Sequence, residues 1–250
     1  MSKMDCLKLY LFQKLGSMSA AQRIRQGYIL AKLKKLGLSG KKILDAGCGD
    51  GSYALLLVSQ YPNICQIMGI DFDETRINKA VDLSNCEKNN SIIIFTLGSI
   101  TNHLGDNVFD IIYCVDVLEH ISDDQIVLSN FHNALRPGGI LILHVPLLDQ
   151  GRYFLWLKEW KQANHVRDGY NEEELTNRLD EAGFEVVTIS YTFGPFGALA
   201  WEMEETCRKV WIPLRYLFLP ILLLLATIDL RYRNPWGNAI CITVKKEGSI

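Results

Sequence analysis

The chain has 250 residues, of which 48% are hydrophobic, and its formal net charge is −2. This length and composition predict one domain, or one domain with insertions, with enough apolar residues to bury a large core. The seven cysteines contain no C-x-x-C pair, which excludes a disulfide framework and a zinc-site spacing and predicts a reducing cytoplasm. The N-terminus has no apolar stretch long enough for the core of a signal peptide, so we expect a cytoplasmic protein.

The charge is distributed unevenly along the chain. Residues 1–42 carry a net charge of +9, and the remainder therefore carries −11. A basic N-terminal segment can favour an anionic membrane surface or a nucleic acid, but a solvated helix face has the same composition. The charge alone leaves these alternatives open.

Hydrophobic periodicity predicts the elements in chain order. Residues 1–40 are predicted to be helical because Met4, Leu7, Leu11, Leu15 and Met18 recur at spacings of three and four. The predicted strands are 41–46, 65–71, 91–96, 109–115, 140–145, 184–192 and 239–246. The predicted helices between them are 52–59, 73–86, 123–135, 153–161 and 171–182, with a turn at 136–139. Strands alternating with helices predict an α/β fold with a parallel sheet and right-handed crossovers.

The most informative motif follows the first predicted strand. Glycines occupy alternate positions, Gly47, Gly49 and Gly51, and a helix begins directly after them. A strand, a glycine turn and a helix N-terminus bring bare backbone up to a ligand. The third glycine comes one residue earlier than in a dinucleotide fingerprint, and Asp45 adds a carboxylate where a pyrophosphate needs neutral or positive surroundings. A sulfonium ligand with an ammonium group tolerates Asp45 and Asp50.

Together with later elements, this turn resembles motif I of the class I S-adenosylmethionine-dependent methyltransferases, in their small-molecule branch. The resembling stretches follow one another in the family's order: 45–51, Asp71 at the end of strand 2, 109–120, 135–142 and 173–186. The resemblance covers residues 41–192 and the last strand. It implies a Rossmann-like, seven-stranded mixed sheet flanked by helices, with a cofactor-binding core (41–192) and the last strand (237–246). The chain adds an N-terminal helical segment (1–40) and a helical insertion (194–234), where the family normally has a tight hairpin.

The resemblance also implies which residues hold S-adenosylmethionine and its product S-adenosylhomocysteine. Asp71 would accept hydrogen bonds from the ribose hydroxyls. Ser99 stands where the family often has an acidic residue that contacts adenine, so that contact is expected from the Ile100 backbone instead. The full implied set is Asp45, Ala46, Gly47, Cys48, Gly49, Asp71, Phe72, Ser99, Ile100, Val115 and Asp116.

Polar residues at the end of strand 4 are the candidates for catalysis. Methyl transfer to oxygen usually needs deprotonation of the acceptor, and His120, His165 or Glu119 could assist it, with His144 as a further candidate base. Alternatively, Glu119 and His120 only cap the following helix. Asp116, Glu119 and His120 with His165 also resemble the metal site of some O-methyltransferases, so Glu119, His120 and His165 are candidate ligands if a metal is used.

An apolar and basic insertion, residues 194–234, separates the last two strands. Its uncharged run at 216–228 is shorter than the roughly 20 residues that span a bilayer, Pro213 and Pro220 are expected to interrupt a helix, and both ends must return to one sheet. Three interpretations remain: a lid over an apolar substrate, a segment that contacts a membrane surface together with the N-terminus, or a homodimer surface.

These features predict S-adenosylmethionine-dependent methyl transfer to a small-molecule or lipid-linked acceptor, at oxygen. The expected location is the cytoplasm, including the inner face of the membrane, and nucleic acid is not an expected partner. The alternatives are an NAD-dependent oxidoreductase, since Asp71 would suit any adenosine ribose, and a cofactor-binding scaffold without turnover.

Overall fold

The computed structural model describes residues 3–87, 89–157 and 166–247. Within these ranges the strands are β1 (Lys42–Ala46), β2 (Gln66–Asp71), β3 (Ile93–Leu97), β4 (Phe109–Val115), β5 (Leu135–Pro146), β6 (Phe184–Thr192) and β7 (Ala239–Lys246). The helices are α1 (Lys3–Leu15), α2 (Ala20–Leu36), α3 (Ser52–Gln60), α4 (Glu74–Ser84), α5 (Asp124–Ala134), α6 (Glu172–Glu181), α7 (Pro195–Val210) and α8 (Ile212–Arg231).

The strands form one sheet in the order β3-β2-β1-β4-β5-β7-β6, in which β7 runs antiparallel to β5 and β6. All other neighbouring strands are parallel, so the predicted seven-stranded mixed sheet is confirmed. The carboxyl ends of β1, β2, β4, β5 and β6 therefore lie along one edge of the sheet. In open α/β sheets this edge carries the ligand site.

Two apolar cores cover the two faces of the sheet. Neighbouring residues of β1 point to opposite faces, so Ile43 packs in the core with α2 and α3, whereas Leu44 packs in the core with α5 and α6. Because both faces of the sheet are covered, β4 consists almost entirely of apolar residues.

The insertion is a helical hairpin that packs on α2. Residues of α2, α7 and α8 share a third apolar cluster, and a side chain at Gly27 of α2 would lie 2.4 Å from Leu230 of α8. At the base of the hairpin the buried Asp229 accepts hydrogen bonds from the Gly197 N–H (3.0 Å) and the Asn234 side chain (3.1 Å). The insertion is thus a packed layer of the domain.

The prediction that prolines interrupt this insertion is wrong. α8 runs unbroken from Ile212 to Arg231, with Pro213 in its first turn, where a missing N–H costs nothing, and with Pro220 on its exposed side. The apolar segment is therefore longer than the uncharged run suggested. Among the described residues, α8 is the one helix whose length and composition would allow it to cross a membrane, with a mean hydropathy of 1.8.

Two further predictions need correction. Residues 136–139, predicted as a turn, belong to β5, although the pairing with β4 jumps from Leu135 to Ile140 across them. Within this irregular stretch Arg136 binds Asp110 (3.0 Å). The predicted helix at 153–161 is only a short 3-10 turn, Leu155–Leu157, in its described part, and residues 158–165 lie outside the described ranges.

The cysteines are also not all unpaired. A disulfide joins Cys6 of α1 to Cys86 just after α4, while Cys48, Cys65, Cys114, Cys207 and Cys241 are free. Cysteine spacing could not reveal this bond, because its two ends are 80 residues apart. The disulfide ties α1 to the segment after α4, and Gln13 of α1 adds a hydrogen bond to the Leu55 carbonyl of α3 (3.2 Å).

Candidate functional site

The glycine turn sits at the carboxyl edge of the sheet, between β1 and α3. The N–H groups of Gly47 and Cys48 both donate to the Ile70 carbonyl (2.8 and 3.0 Å), which fastens the turn to β2. Gly47 has a φ of +76°, and a Cβ there would lie 2.4 Å from the side chain of Val117. Glycine is therefore required at this position for both conformation and space.

Asp71 holds the turn from the neighbouring strand. Its carboxylate accepts hydrogen bonds from the Gly49 N–H (2.8 Å) and the Asp73 N–H (2.9 Å), one to each oxygen. The structure thus gives Asp71 an architectural role beside the ribose contact that the sequence predicts. An ionised carboxylate retains further acceptor sites, so the two roles are compatible.

Asp45 is the buried acidic residue of the turn. It is buried, and its Oδ2 has no hydrogen-bond partner among the described residues. Burial, with repulsion from Asp71 and Asp50, raises the pKa of Asp45 to about 7. A buried, unpaired carboxyl oxygen beside bare backbone suits a ligand that brings positive charge or N–H donors, as a sulfonium compound with an ammonium group does.

A cavity of about 420 Å³ opens over the turn, large enough for a cofactor of this kind. Of the residues predicted to hold the cofactor, Asp45, Gly47, Cys48, Gly49 and Val115 line it, and Tyr53 of α3 forms part of its wall.

The remaining predicted residues do not line this cavity. The side chains of Ala46 and Ile100 are buried in the core, while the Ser99 hydroxyl bonds Thr101 (2.7 Å). Phe72 is 79% exposed at the tip of β2, next to Asp71. The structure brings the turn and β4 together, but places the predicted adenine contacts outside the cavity.

A second polar group lies where β4 ends. Asp116 has the left-handed φ of +51°, forms an ion pair with Arg25 of α2, and contacts His144 Nδ1 through Oδ1 at 2.5 Å. The other ring nitrogen of His144, Nε2, lies 2.9 Å from the Thr192 hydroxyl. Although burial opposes ionisation, Arg25 and His144 hold the pKa of Asp116 well below its usual range. His144 is therefore a buried positioning residue, with both nitrogens engaged.

Glu119 lies beside this group, in a 3-10 turn at 118–120. It is only 1% exposed, and its Oε2 has no hydrogen-bond partner among the described residues. Burial, reinforced by the negative charge of Asp116, raises the pKa of Glu119 to about 8. A carboxyl group near neutral pKa at a ligand-binding edge is suited to acid–base chemistry.

Of the two histidines predicted to take part in catalysis, the structure describes only one. His120 is half-buried in the same 3-10 turn, whereas His165 lies outside the described residues. No group of three or more His, Cys, Asp or Glu side chains is arranged to hold a metal ion within the ranges described. Asp116, which the metal motif would also use, is engaged by Arg25 and His144.

The sequence analysis did not identify Arg25 and Phe193 as residues of the site. Arg25 looked like one of many basic residues on an amphipathic helix, yet its guanidinium is 5.2 Å from the centre of the Phe193 ring and binds Asp116. Phe193 directly follows β6 and has a φ of +54°. Strained backbone at Asp116 and Phe193 marks a functional edge, but no sequence pattern encodes it.

Comparisons with known proteins agree with this geometry. A family model described as a methyltransferase domain matches residues 21–189. A ubiquinone biosynthesis O-methyltransferase from Rickettsia canadensis is 24% identical over 82% of this chain and 94% of its own length. The corresponding protein from Psychrobacter cryohalolentis is 30% identical over 49% of this chain and 48% of its own length. The chain spans about half the length of most of the curated relatives it matches.

Among solved structures, a phosphoethanolamine N-methyltransferase 2 from Haemonchus contortus in complex with S-adenosyl-L-methionine superimposes with a TM-score of 0.65 and 20% identity, covering 87% of this chain and 52% of that one. That likeness shows the fold, whereas the family model spans more than half of this chain. The chain therefore belongs to the methyltransferase-domain family, and it is a class I S-adenosylmethionine-dependent methyltransferase.

Proposed function

We propose that this protein methylates a hydroxyl group of a small-molecule or lipid-linked acceptor. The observation that carries the proposal is the buried Glu119 carboxyl, with an unpaired oxygen, at the end of the strand that lines the cofactor cavity. The relatives named as O-methyltransferases support oxygen as the receiving atom. The family match gives no support to the NAD-dependent alternative.

When bound, S-adenosylmethionine supplies an electrophilic methyl group on a sulfonium. Glu119 would take the proton of the acceptor hydroxyl, whose oxygen would then be the nucleophile that receives the methyl group, with S-adenosylhomocysteine as the leaving group. A base with a pKa near 8 retains appreciable proton affinity at neutral pH. The neighbouring Arg25 carries the positive charge that favours a developing oxyanion.

The cofactor cavity and the polar group share the same edge of the sheet. Val115 lines the cavity and Asp116 is the next residue, so an acceptor near Glu119 would lie beside the cavity that would hold the cofactor. Asp116 fixes Arg25 and His144 on its two oxygens and thereby holds the floor of the acceptor site rigid. Positioning of this kind supplies much of the rate in a displacement reaction.

The test is methyl transfer from labelled S-adenosylmethionine, read by mass spectrometry. Hydroxylated aromatic acceptors with and without a long alkyl chain should accept the methyl group, and phosphoethanolamine serves as the amine acceptor for comparison. Transfer to the amine alone would refute the assignment to oxygen. A protein that binds S-adenosylhomocysteine in calorimetry but methylates none of these acceptors is the outcome expected of a scaffold without turnover.

The role of Glu119 is tested with Glu119→Gln and the partial replacement Glu119→Asp. For the wild type, kcat/KM should rise with pH to a plateau above about 8, and Glu119→Gln should lower kcat by about a hundredfold or more and remove this rise. Because a raised pKa means that the folded state prefers protonated Glu119, the neutral Gln should not destabilise the protein near neutral pH. An unchanged pH profile in Glu119→Gln would exclude Glu119 as the base.

A further inference from the structure

Helix α1 presents its apolar stripe to solvent. Met4, Leu7, Leu11 and Leu15 are each more than 40% exposed, while Leu9 on the opposite side packs in the core. At 100° per residue the four exposed side chains fall within about 80° of the helix circumference, and Lys8 and Lys14 lie about 20° outside its two edges. Both lysines are exposed. An apolar stripe bordered by cations is typical of a helix that lies on a membrane surface.

Helix α8 presents a second apolar stripe. Leu217 (71% exposed), Ile221 and Leu224 lie on one side of it, whereas Leu222 and Ala226 on the other side are buried against α2 and α7. Trp211 and Ile212, each about 60% exposed, form the tip of the α7–α8 hairpin. Exposed Trp beside aliphatic side chains suits the boundary between lipid head groups and acyl chains.

The hairpin tip lies beside the C-terminal end of α1. Arg215 of α8 donates to the Met18 carbonyl (2.9 Å), in the link between α1 and α2, and Glu204 of α7 accepts from the Ala20 N–H (2.8 Å). The tip of the hairpin therefore lies at the N-terminal end of α2. Lys32 of α2 bonds Thr188 within β6 (2.8 Å), whereas Arg25, nearer the N-terminus of α2, pairs with Asp116 at the edge of the sheet that carries the site. The N-terminal end of α2, and the hairpin tip with it, therefore project beyond that edge.

The charges around the tip indicate which kind of partner this surface would bind. The acidic residues there are neutralised within the chain, because Glu204 pairs with Arg208 and Arg215 (3.0 and 2.8 Å) and Glu205 pairs with Arg208 (2.9 Å). The exposed Lys209, Lys8 and Lys14 then leave the surface cationic. A symmetric dimer through this surface would bring each cation near its own copy, which opposes self-association.

We propose that the exposed side of α1 and the hairpin tip form a docking surface for an anionic lipid bilayer. Docking there would turn the acceptor-binding edge of the sheet towards the membrane, so the inference rests on the proposed function and selects its lipid-linked class of acceptor. Two apolar stripes and a set of lysines bind together far more strongly than either does alone.

The test is flotation of the full chain with vesicles of phosphatidylcholine and phosphatidylglycerol, and with vesicles of phosphatidylcholine alone. We expect binding to the anionic vesicles that weakens as salt is raised. The paired variants Trp211→Ser/Leu217→Ser and Leu7→Ser/Leu11→Ser should each lower the partition coefficient about tenfold or more. The control Ile126→Ser/Val187→Ser, at exposed positions on α5 and β6, should leave it unchanged.

Three results would overturn the proposal: no binding to anionic vesicles, equal binding to neutral ones, or a dimer in light scattering that Trp211→Ser/Leu217→Ser dissociates. Calorimetric binding of S-adenosylhomocysteine, measured on each variant, reports on folding, and methyl transfer to a hydroxylated acceptor without an alkyl chain reports separately on the proposed function. Intact cofactor binding with no flotation refutes the docking surface alone.

Discussion

The glycine turn and the polar group at the end of β4, which we propose as the cofactor side and the acceptor side of the site, are built in different ways. The cofactor side is local: seven consecutive residues, 45–51, form the turn, and backbone bonds to Ile70 and Asp71 hold it in place. The acceptor side joins Arg25, Asp116, Glu119, His144 and Thr192, which come from four separate parts of the chain. Backbone geometry makes the first region, and the pairing of buried and partly buried charges makes the second.

This difference bears on what each side can tolerate. A turn defined by glycine conformation fails when a side chain is added, whereas a cluster of buried charges fails when one member is removed and another is left uncompensated. The following substitutions test that contrast.

The largest loss of stability is expected from Asp116→Asn. Asn tolerates the left-handed backbone at this position, so the change chiefly removes the charge that compensates Arg25. We expect a loss of about 3 kcal/mol in the free energy of unfolding, measured by urea denaturation. Because the pKa of Asp116 is lowered in the folded state, this contribution is present above the unfolded value near 3.8 and should shrink as pH falls below it.

Asp110→Asn is the matched control at the opposite end of β4. Asp110 also pairs with two cations, Lys41 and Arg136, but these are 41% and 43% exposed and stay solvated without it. We expect a loss of about 1 kcal/mol or less. Equal losses for the two variants would contradict the view that the acceptor side depends on buried charge pairing.

Gly47→Ala should have the next largest effect, because it adds strain and a clash within the turn. The new Cβ would meet Val117 at 2.4 Å, so the turn or β4 must shift. We expect about tenfold to a hundredfold weaker binding of S-adenosylhomocysteine in calorimetry, equivalent to about 1.4 to 2.7 kcal/mol. Gly40→Ala separates strain from clash, since Gly40 has a similar φ of +72° with nothing within 4 Å of a Cβ. Comparable loss of binding in Gly40→Ala would remove the argument for close packing at the turn.

The contrast also explains how far the sequence could predict the structure. Local periodicity predicts the strands, and β4, β6 and β7 match their predicted bounds. The mixed sheet follows from the resemblance to a known family. Pro220 misled the prediction for α8, because a proline on the exposed side of a helix is tolerated when the opposite side is packed.

The residues of the site likewise divide into those that the sequence could predict and those that it could not. Asp45 and the glycines could be recognised from adjacent residues, but the pairing of Arg25 with Asp116 spans 91 positions and depends on how α2 lies across the sheet. Burial, which raises the pKa of Glu119, is likewise a property of the fold. For α1, the period of the apolar residues correctly predicts a helix, but it does not reveal that these residues face solvent.

The smallest predicted effect is a dependence of cofactor affinity on the protonation of Asp45. In the free protein the pKa of Asp45 is raised to about 7, so below that pH the carboxyl holds a proton and the stability of the free fold declines as pH rises from about 4 to 7. A ligand with an ammonium group favours the ionised carboxylate, and its binding must release that proton. Affinity for S-adenosylhomocysteine should therefore rise by up to about tenfold per pH unit between pH 5.5 and 7 and level off above 7.

Calorimetry across this range checks the dependence, with proton release measured in buffers of different ionisation enthalpy. Asp45→Asn should bind more weakly and lose the slope. Asp50→Asn should keep it, because Asp50 lies in the same turn but is partly exposed and paired with Lys79 (2.8 Å). A slope that survives in Asp45→Asn would mean that another group takes up the proton. If it disappears only in that variant, one buried carboxyl sets the pH response of the cofactor side without any help from the acceptor side.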